Sequence, residues 1–508
     1  MPLVKNIEKG FDIEVDVAVV GSGPGGAVFA KEVSERGFSV AVLEEGDFIK
    51  SDDLPLSRSE RPLLAFKLLY RNAGMTAAFG LPGHPPIPLP LGRCVGGSSV
   101  INSGTCFRLP EDVVFSWRDY GIKISYDELS GFFESVEEEL NISEVSDDLL
   151  GNHGRLFLSA AKRLGMEGGA IRRNAKDCKG CGLCQFLCPE DAKLSMHLTY
   201  IPKAISFGTY IFTKCRVNWI MVQDGVVQGV QGDVLDDTDK PKAKFRVGAK
   251  VVALACGSIY TPFLLLKNRL CNFSGQVGKN LTIHPGLRVT SVFPESERIE
   301  QWKGVPQGYY VSSFKREGIM IEGISVPPII GAMTLPYVGS RYKNIISRYT
   351  NILSVGIMVS DSSRGRVFAF RKEPFTFYNL SKKDAERFLK GVFEVSKILF
   401  EAGAEKVFPH VYGLDEINSP DDIKILKNYK AKPSCFELLA FHPLGTCRMG
   451  NKESNSVVNQ NLESHDIKNL FIVDGSVFPT PLGVNPQETI MAFSKRAGIF
   501  VSENKLSK

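Results

Sequence analysis

Two polar residues late in the chain have types and surroundings that suit proton transfer. His442 lies in the loop-like segment Phe441–Gly450, and Asn485 lies in the later segment Val484–Thr489. A histidine has an unperturbed pKa of about 6.5 and can therefore accept a proton near neutral pH. An asparagine carboxamide can hold the oxygen that loses this proton. The pair predicts a site at which a hydroxyl group is deprotonated.

A structural role is open to Asn485 as well. The order of asparagine, proline and then a periodic apolar run is typical of a helix N-cap with proline in the first turn. A helix that begins at Pro486 would direct the positive end of its dipole towards the site, where negative charge is stabilised. The two roles are compatible. For His442 the alternative is a loop histidine bonded only to backbone groups.

A nucleotide-binding fingerprint near the start of the chain would position a cofactor for such a site. The apolar run Val15–Val20 predicts a buried strand, and it is followed by a glycine-rich turn, a helical stretch and a second strand that ends at Glu44. Gly21, Gly23 and Gly26 let the backbone approach a pyrophosphate, and Glu44 can accept hydrogen bonds from ribose hydroxyls. This order predicts dinucleotide binding.

Two further segments follow the fingerprint. Residues 61–90 are apolar and rich in proline, which predicts neither strand nor helix but a lid over a cofactor or a plain surface excursion. Residues 92–102 are dense in small residues that expose backbone amides. They are a second predicted contact for a phosphate or a ring.

The remaining patterns predict the domain organisation. A hairpin is expected around Asp224-Gly225, a core strand over residues 250–254, and a helix capped by Ser381 that ends at Gly403. A last strand around residues 470–473 leads into a terminal helix. We therefore predict a discontinuous nucleotide-binding domain, residues 11–290 and 440–508, with a cysteine-rich insertion at about 150–206. Residues 291–439 form the inserted substrate-binding domain.

Four cysteines in that insertion have the spacing of an iron–sulfur motif, C-x2-C-x2-C-x3-C followed by proline. They are Cys178, Cys181, Cys184 and Cys188. In this motif three neighbouring thiolates hold one cluster, and the fourth cysteine binds a second cluster. Because the chain has a single run of this kind, a 4Fe-4S cluster needs a distant fourth ligand such as Cys215. A 3Fe-4S cluster, a zinc site and a loop without metal are the alternatives. A cluster would pass electrons one at a time to an external acceptor.

Composition limits the class of protein. With 508 residues the chain exceeds the size of a single core, so two domains are expected. The net charge is +5, from 61 basic and 56 acidic residues, and the sequence has no long run of basic residues. This distribution argues against nucleic acid as a partner. The charged first residues lack a secretory signal and no apolar run is long enough to span a bilayer. Eleven cysteines, an odd number, argue for reduced thiols rather than a framework of disulfides. We therefore expect a soluble cytoplasmic protein.

Taken together, the blocks resemble the glucose-methanol-choline oxidoreductases, and the chain is similar to their long-chain alcohol oxidase-like branch. Six blocks occur in the family's order: the Gly21 loop with Glu44, residues 92–102, 251–262 and 277–281, the His442 segment, and residues 474–489. The cysteine-rich segment and residues 361–367 indicate the branch. The resemblance implies an α/β fold, in which a Rossmann-like FAD-binding domain carries an inserted α+β domain built on a mixed or antiparallel sheet.

The resemblance also implies the chemistry. The cofactor would be FAD, held by the first glycine loop and Glu44 and by further contacts at Gly97, Ser98, Asn102, Val217, Asp474 and Gly475. His442 would be the base and Asn485 would orient the hydroxyl of an alcohol, whose hydride passes to flavin N5. The electron acceptor would be a quinone, a redox protein or O2. The apolar residues 326–333 favour a lipophilic alcohol, although they suit a core equally well.

Two other functions fit the same residues. On the same fold the chain could be a non-redox lyase that keeps FAD for structure. It could also be an electron-transfer subunit in which the cysteine segment is the main redox centre and the flavin acts as a relay.

Overall fold

The computed structural model describes residues 3–4, 7–325, 327–333, 335 and 337–507. The strands, in chain order, are β1 (Leu3–Val4), β2 (Phe11–Val20), β3 (Val40–Leu43), β4 (Ala77–Ala78), β5 (Ile87–Pro88), β6 (Thr105–Cys106), β7 (Ile142–Glu144), β8 (Gly168–Ala170), β9 (Arg172–Asn174), β10 (Tyr210–Phe212), β11 (Cys215–Gln223), β12 (Val226–Leu235), β13 (Pro241–Leu254), β14 (Pro285–Val292), β15 (Tyr309–Val311), β16 (Ile319–Gly323), β17 (Ile352–Val359), β18 (Arg366–Phe370), β19 (Glu373–Phe377), β20 (Lys406–Phe408), β21 (Leu438–Ala440) and β22 (Leu470–Ile472).

The α-helices, in chain order, are α1 (Pro24–Glu35), α2 (Glu60–Leu69), α3 (Ser98–Ile101), α4 (Glu111–Ser116), α5 (Tyr126–Glu139), α6 (Asp147–Arg163), α7 (Tyr200–Ser206), α8 (Gly257–Asn268), α9 (Pro328–Met333), α10 (Gly339–Ile346), α11 (Lys382–Glu401), α12 (Ile425–Asn428) and α13 (Gln487–Val501). Among the described residues, none of these helices has the length and apolar character needed to cross a membrane.

An eight-stranded sheet forms the nucleotide-binding half. Its order is β1-β10-β3-β2-β13-β12-β11, and β22 pairs with β13. The central strands β3, β2, β13 and β22 run parallel, while β11, β12 and β13 form an antiparallel extension that includes the predicted hairpin. Residues 17–20 are buried without alternation because a parallel sheet is covered on both faces. The Rossmann-like prediction is confirmed.

A seven-stranded antiparallel sheet forms the second half. Its order is β20-β14-β17-β16-β15-β8, with β21 paired to β14. One face, which includes Ile321 and Ile357, shares a core with α11, whereas Met320 and Met358 on the other face belong to the core of the first sheet. The second sheet therefore lies between α11 and the nucleotide-binding half, and its inner face borders the site described below.

Helix α11 follows the sequence prediction. Ser381 Oγ accepts a hydrogen bond from the Asp384 amide at 3.1 Å, which satisfies one of the free donors of the first turn. The predicted apolar face is buried against the second sheet. Gly403, with φ of +101°, follows the helix and supplies the left-handed turn that ends it.

The start of the proline-rich segment differs from the prediction. Residues 60–69 form α2, whereas no helix was expected after residue 60. Pro62 lies in the first turn, where its missing amide hydrogen has no cost, and the rest of the stretch consists mostly of good helix formers. The prolines from Pro82 onwards lie in or next to β5, which pairs with β4 in a short hairpin. A role of this segment as a lid stays a prediction.

The predicted domain boundaries stay a prediction. Strand β8 comes from the cysteine-rich insertion but pairs with β15 of the second sheet. Strand β14 of the same sheet begins at Pro285, before the predicted boundary at residue 290. In the apolar segment 326–333, residue Val326 lies outside the described residues, and Pro328–Met333 form α9.

Candidate active site

His442 and Asn485 converge between the two halves of the molecule. His442 follows β21 of the second sheet, and Asn485 precedes α13 of the nucleotide-binding half. The Nδ2 atom of Asn485 lies 3.5 Å from Nε2 of His442. The residues that the sequence paired are therefore adjacent in space, across the junction of the two sheets.

The protonation state of His442 follows from its surroundings. Burial lowers the pKa of the imidazole to about 4, so the ring is neutral at pH 7. Since an amide nitrogen can only donate, the contact with Asn485 Nδ2 assigns the lone pair of the imidazole to Nε2 and its hydrogen to Nδ1. An unprotonated Nε2 is what a general base requires.

Asn485 does not cap the terminal helix, contrary to one of the two roles expected from the sequence. Helix α13 begins at Gln487 with Pro486 as its N-cap, and the N-cap makes no side-chain hydrogen bond. The carboxamide of Asn485 is instead directed to His442. This direction leaves Asn485 available to a ligand.

A second histidine, which the sequence did not single out, stands beside the first. The rings of His284 and His442 lie 5.5 Å apart at an angle of 80°. Nε2 of His284 accepts hydrogen bonds from the amides of Leu482 at 3.0 Å and Gly483 at 3.3 Å. Burial and the nearby His442 hold the pKa of His284 well below its usual value. His284 therefore anchors the loop that carries Asn485.

The backbone at His284 is held in an unusual conformation. Its φ is +44°, a left-handed value that is uncommon for residues other than glycine. The buried carboxylate of Asp361 accepts hydrogen bonds from the amides of Ile283 and His284 at 3.2 Å each, and from the Tyr378 hydroxyl at 2.8 Å. Such strain at a site is typical of functional loops. The histidine before Pro285, next to the fourth family-like block, was the available sequence signal.

Glu322 is a further residue that the sequence reasoning missed. It lies in β16, is 4% exposed, and its Oε2 accepts a hydrogen bond from Gln307 Nε2 at 3.0 Å. Burial raises the pKa of its carboxyl group to about 7, and the nearby Asn485 side chain opposes this shift. The available signal was an acid inside the apolar run Ile319–Gly323.

Several buried polar atoms at this junction lack an ordinary hydrogen-bond partner among the described residues. They are Nδ1 of His442, Nδ1 of His284, Oδ1 of Asn485 and Oε1 of Glu322. An unpaired buried polar atom costs about 1–3 kcal/mol, so folded proteins rarely retain a cluster of them without a ligand. The cluster therefore indicates a binding site for a polar group.

The first glycine loop fits a phosphate group. Gly21 has φ of +99°, and a Cβ on Gly26 would lie 2.0 Å from the Gly21 carbonyl oxygen, so both positions require glycine. At Gly23, the N-cap of α1, an added Cβ would meet only Cα of Gly97, at 4.0 Å. The N-terminus of α1 thus has open space in front of it, as anion binding requires.

Glu44 connects the two glycine-rich loops. Its carboxylate accepts hydrogen bonds from the amide and hydroxyl of Ser22, at 3.0 and 2.7 Å, and from the amide of Gly46 at 2.8 Å. The hydroxyl of Ser22 in turn accepts a hydrogen bond from the amide of Gly96 at 3.0 Å. Glu44 therefore lies where the fingerprint predicts it, at the end of β3, and its contact with a ribose stays a prediction.

The residues after Gly96 lead towards His442 and Asn485. Gly97 has φ of +54° and precedes α3, and Ser98 Oγ accepts a hydrogen bond from the amide of Gly92 at 3.1 Å. Nδ2 of Asn102 donates to Oε1 of Gln487, the first residue of α13. Asn102 therefore contacts a residue that follows Asn485 by two positions, close to the junction.

Asp474, Gly475 and Val217 are the remaining predicted cofactor contacts. The buried carboxylate of Asp474 accepts hydrogen bonds from the amides of Gly257 and Ser476, at 2.9 Å each, which joins the start of α8 to the turn at Gly475. Val217 lies in β11, which begins beside Glu44, since the Cys215 amide donates to the Glu44 carbonyl at 2.8 Å. Their contacts with a flavin stay predictions.

The four clustered cysteines do not form a metal-ligand set. Within the described part of the chain, no group of three His, Cys, Asp or Glu side chains is arranged to hold a metal ion. Cys184 Sγ instead accepts a hydrogen bond from Arg173 at 3.0 Å, and Cys178 Sγ accepts one from the amide of Gly180 at 3.5 Å. The expected iron–sulfur or zinc site on Cys178, Cys181, Cys184 and Cys188 is not confirmed, and we derive no step through it.

Comparison with known proteins matches most of the chain. Two sequence models of the GMC oxidoreductases match residues 66–286 and 365–494, and a model of the NAD(P)-binding Rossmann-like domain matches residues 19–49.

Individual relatives agree with these matches. An uncharacterized GMC-type oxidoreductase of Mycobacterium tuberculosis is 34% identical over 482 residues, which cover 94% of this chain and 74% of the relative. A long-chain-alcohol oxidase of Arabidopsis thaliana is 28% identical, over 95% of this chain and 66% of the relative. The structure of a formate oxidase of Aspergillus oryzae, studied for modification of its FAD, superposes with a TM-score of 0.73 at 16% identity, over 98% of this chain and 100% of the other. The chain belongs to the GMC oxidoreductase family.

Proposed function

We propose that the protein binds FAD and oxidises an alcohol to an aldehyde or ketone. The observation that carries the proposal is the 3.5 Å contact between Asn485 Nδ2 and the unprotonated Nε2 of the neutral His442. The unpaired polar atoms around this pair indicate that a ligand oxygen completes it. Family membership and the named alcohol oxidase among the relatives support an alcohol as the donor.

The residues present fit FAD. Gly23 leaves open space at the N-terminus of α1 for a pyrophosphate, and Gly97 faces it from the second loop. Glu44 would hold the ribose, and Ser98, Asn102, Val217, Asp474 and Gly475 would hold the remainder of the cofactor. When bound, the flavin supplies N5 as the acceptor of the hydride that leaves the alcohol carbon.

The chain's own residues handle the hydroxyl group. Nε2 of His442 takes its proton, and Nδ2 of Asn485 donates a hydrogen bond to the same oxygen, which keeps the oxygen oriented while negative charge develops on it. Because burial lowers the pKa of His442 to about 4, the base is unprotonated at neutral pH. The nearby N-terminus of α13 adds positive potential at the same place.

Lipophilic alcohols are the first substrates to test. The Arabidopsis relative carries the name of a long-chain-alcohol oxidase and aligns over nearly the whole of this chain. The electrons would then pass to an external acceptor, for which a quinone, a redox protein and O2 are the choices. Supplying each acceptor to the reduced protein identifies the one that it uses.

Replacement of the base tests the proposal. Anaerobic mixing with a panel of alcohols is expected to bleach the flavin of the wild type, and His442→Ala is expected to slow this reduction at least about 100-fold. His84→Ala is the control, because His84 lies in the loop before β5 and outside the cluster. Equal FAD content in the three proteins separates chemistry from cofactor binding.

Other outcomes point to the other functions. Near-normal reduction of His442→Ala would remove that residue from the mechanism. A flavin that no alcohol bleaches, but that a redox protein reduces, would indicate an electron-transfer subunit, and a flavin that stays oxidised during turnover would indicate a lyase. Iron analysis of anaerobically purified protein tests the cysteine segment separately.

A further inference from the structure

Four phenylalanines form an exposed cluster at the hairpin of β18 and β19. Phe368 and Phe375 lie opposite each other in the two strands, and Phe375 stacks on Phe79, which follows β4, with the ring centroids 5.7 Å apart. Phe370 follows Phe368 by two positions and therefore lies on the same face of β18. The four residues are 41–61% exposed. We call the surface formed by Phe79, Phe368, Phe370 and Phe375 the aromatic patch.

The other face of the hairpin packs against the protein. Val367 and Thr376, which pair across the two strands, are buried, and the Val367 amide donates to the Gly278 carbonyl at 2.7 Å. A hairpin with one buried face normally presents polar side chains to water on the other face. Here the outer face carries phenylalanines instead. A cluster of exposed apolar side chains, unlike a single one, is typical of a surface that binds a partner or a membrane.

The tip of the hairpin projects from the protein. Residues 368–373 are exposed without interruption, so both faces of the hairpin are open to solvent at its end. Arg371 and Lys372 form the turn next to Phe370, and the guanidinium carbon of Arg371 lies 5.4 Å from the centre of the Phe370 ring. A projecting tip with apolar and basic side chains can enter the boundary layer of a bilayer. A partner protein would need a groove of matching shape to receive it.

The charges of the hairpin are mainly positive. Residues 364–377 contain one acid, Glu373, whose carboxylate accepts a hydrogen bond from the Tyr260 hydroxyl at 3.1 Å. The basic residues of this range are all exposed, and they are Arg364, Arg366, Arg371 and Lys372. Basic side chains beside an apolar surface attract anionic lipid headgroups. A second copy of the chain fits less well, because contact between two aromatic patches would bring the two basic sets together, and like charges repel.

We propose that the aromatic patch and the hairpin tip dock the protein on the surface of an anionic lipid bilayer. The phenylalanine rings enter the boundary between headgroups and acyl chains, and the basic side chains bind the lipid phosphates. The inference does not rest on the proposed function, since docking requires no reaction.

Docking would nevertheless bring the candidate site close to the bilayer. Gly365, at the base of the hairpin, exchanges two backbone hydrogen bonds with Leu281, at 2.7 and 3.1 Å. Leu281 precedes His284 by three residues, and His284 stands beside His442. Lipophilic alcohols and quinones partition into the apolar layer, so a docked protein would meet both at their highest concentration.

Sedimentation of the full-length protein with lipid vesicles tests the inference. Vesicles of phosphatidylcholine with about 30% phosphatidylglycerol are expected to bind the wild type at least about 10-fold more tightly than vesicles of phosphatidylcholine alone. The double variant Phe368→Ser, Phe370→Ser is expected to bind the anionic vesicles at least about 10-fold more weakly, because two rings no longer leave water. Phe273→Ser is the matched control, since Phe273 is 85% exposed but follows α8, outside the aromatic patch.

A second double variant tests the charges. Arg371→Gln with Lys372→Gln is expected to weaken binding to the anionic vesicles about 10-fold and to make it less sensitive to salt. All the substituted side chains are exposed, so the thermal unfolding temperature and the flavin content should equal those of the wild type. These two measurements show that a loss of binding does not come from misfolding.

Several results would overturn the inference. The wild type could fail to bind the anionic vesicles, or the phenylalanine variant could bind them as tightly as the wild type, which would mean that charge alone acts. A dimer that light scattering detects for the wild type but not for this variant, without vesicle binding, would assign the aromatic patch to a second copy of the chain. Vesicle binding does not depend on whether an alcohol reduces the flavin, so the inference and the proposed function fail separately.

Discussion

At the scale of single residues, the site combines neutral groups that are buried and incompletely paired. Burial keeps both histidines uncharged and raises the pKa of the Glu322 carboxyl group to about 7. Since a neutral imidazole is the form that accepts a proton, burial keeps His442 in the form that its proposed role as a base requires. Burial of these titratable groups also makes the stability of the folded state depend on pH.

The stability of the protein is expected to report the titration of Glu322. Its pKa is raised from 4.5 to about 7 on folding, so the folded chain binds this proton more tightly than the unfolded chain between those values. The contribution to stability is therefore present at low pH and lost as the pH rises towards 7. At 1.36 kcal/mol per unit, the loss from pH 5 to 8 is roughly 2–3 kcal/mol.

Urea unfolding of Glu322→Gln and the wild type at both pH values measures this loss. The variant lacks the titration, so the difference in unfolding free energy between the two proteins should change by that amount in favour of the variant at pH 8. Parallel curves for the two proteins would show that Glu322 titrates normally. Titrations elsewhere in the chain cancel in the comparison.

The residues of the site differ in how far the sequence revealed them. His442 and Asn485 stand in recognisable blocks, so their types and order sufficed for a prediction. Glu322 stands in no such block, and its place near Asn485 arises from elements that are far apart in sequence. An acid in an apolar strand was visible, but its partner was not, because only the folded sheet brings β16 beside the loop before α13.

At the scale of elements, the turn from β2 into α1 is the proposed contact for the pyrophosphate of the cofactor. Gly26→Ala would place a Cβ 2.0 Å from the Gly21 carbonyl oxygen and 3.0 Å from Ala255 Cβ. Overpacking of this kind costs about 1–3 kcal/mol or more. We expect the variant to purify with less than about a tenth of the flavin per chain and to unfold at lower temperature.

Gly131→Ala provides the matched control for this element. Gly131 lies in the exposed part of α5, and an added Cβ meets no atom within 4 Å. Alanine is favoured over glycine in a helix by about 0.5–1 kcal/mol, so this variant should be slightly more stable with unchanged flavin content. A Gly26→Ala protein with full flavin content would show that the turn tolerates the side chain.

Elements with a strong local pattern were predicted correctly. Strands β2 and β3 and helices α1 and α11 each combine an apolar pattern with a glycine turn or a cap, and these signals need no distant partner. Helix α2 was missed because the nearby prolines suggested an irregular segment. Its Arg61 is fully buried and donates hydrogen bonds to backbone carbonyls of residues 51, 54, 55, 186 and 187, contacts that no local pattern displays.

At the scale of the whole molecule, two distant parts of the chain build one nucleotide-binding half. Helix α13 packs on α1, and Lys495 Nζ lies 2.7 Å from Glu32 Oε1 in a buried ion pair. Lys495→Met is expected to destabilise the protein by about 2 kcal/mol, because Glu32 loses a charged hydrogen-bond partner but keeps Lys31 and Arg36.

Urea unfolding measures this cost, and an exposed lysine serves as the comparison. Lys382 lies 3.8 Å from Glu386 with both side chains exposed, so Lys382→Met should change the unfolding free energy by less than about 0.5 kcal/mol. Equal effects of the two substitutions would mean that the buried pair contributes no more than a surface one.

The pairing of β22 with β13, and of α13 with α1, sets an order on biosynthesis. Residues 11–43 leave the ribosome long before residues 470–501, yet they share a sheet and a core with them. Until residues 470–501 have been synthesised, the edge of β13 that pairs with β22 and the face of α1 that packs on α13 therefore stay uncovered. A premature stop codon after Asp474 would leave most of the protein translated but would remove both Asn485 and the helix that covers α1. Such a product would expose apolar surface to chaperones and proteases rather than persist as an inactive enzyme.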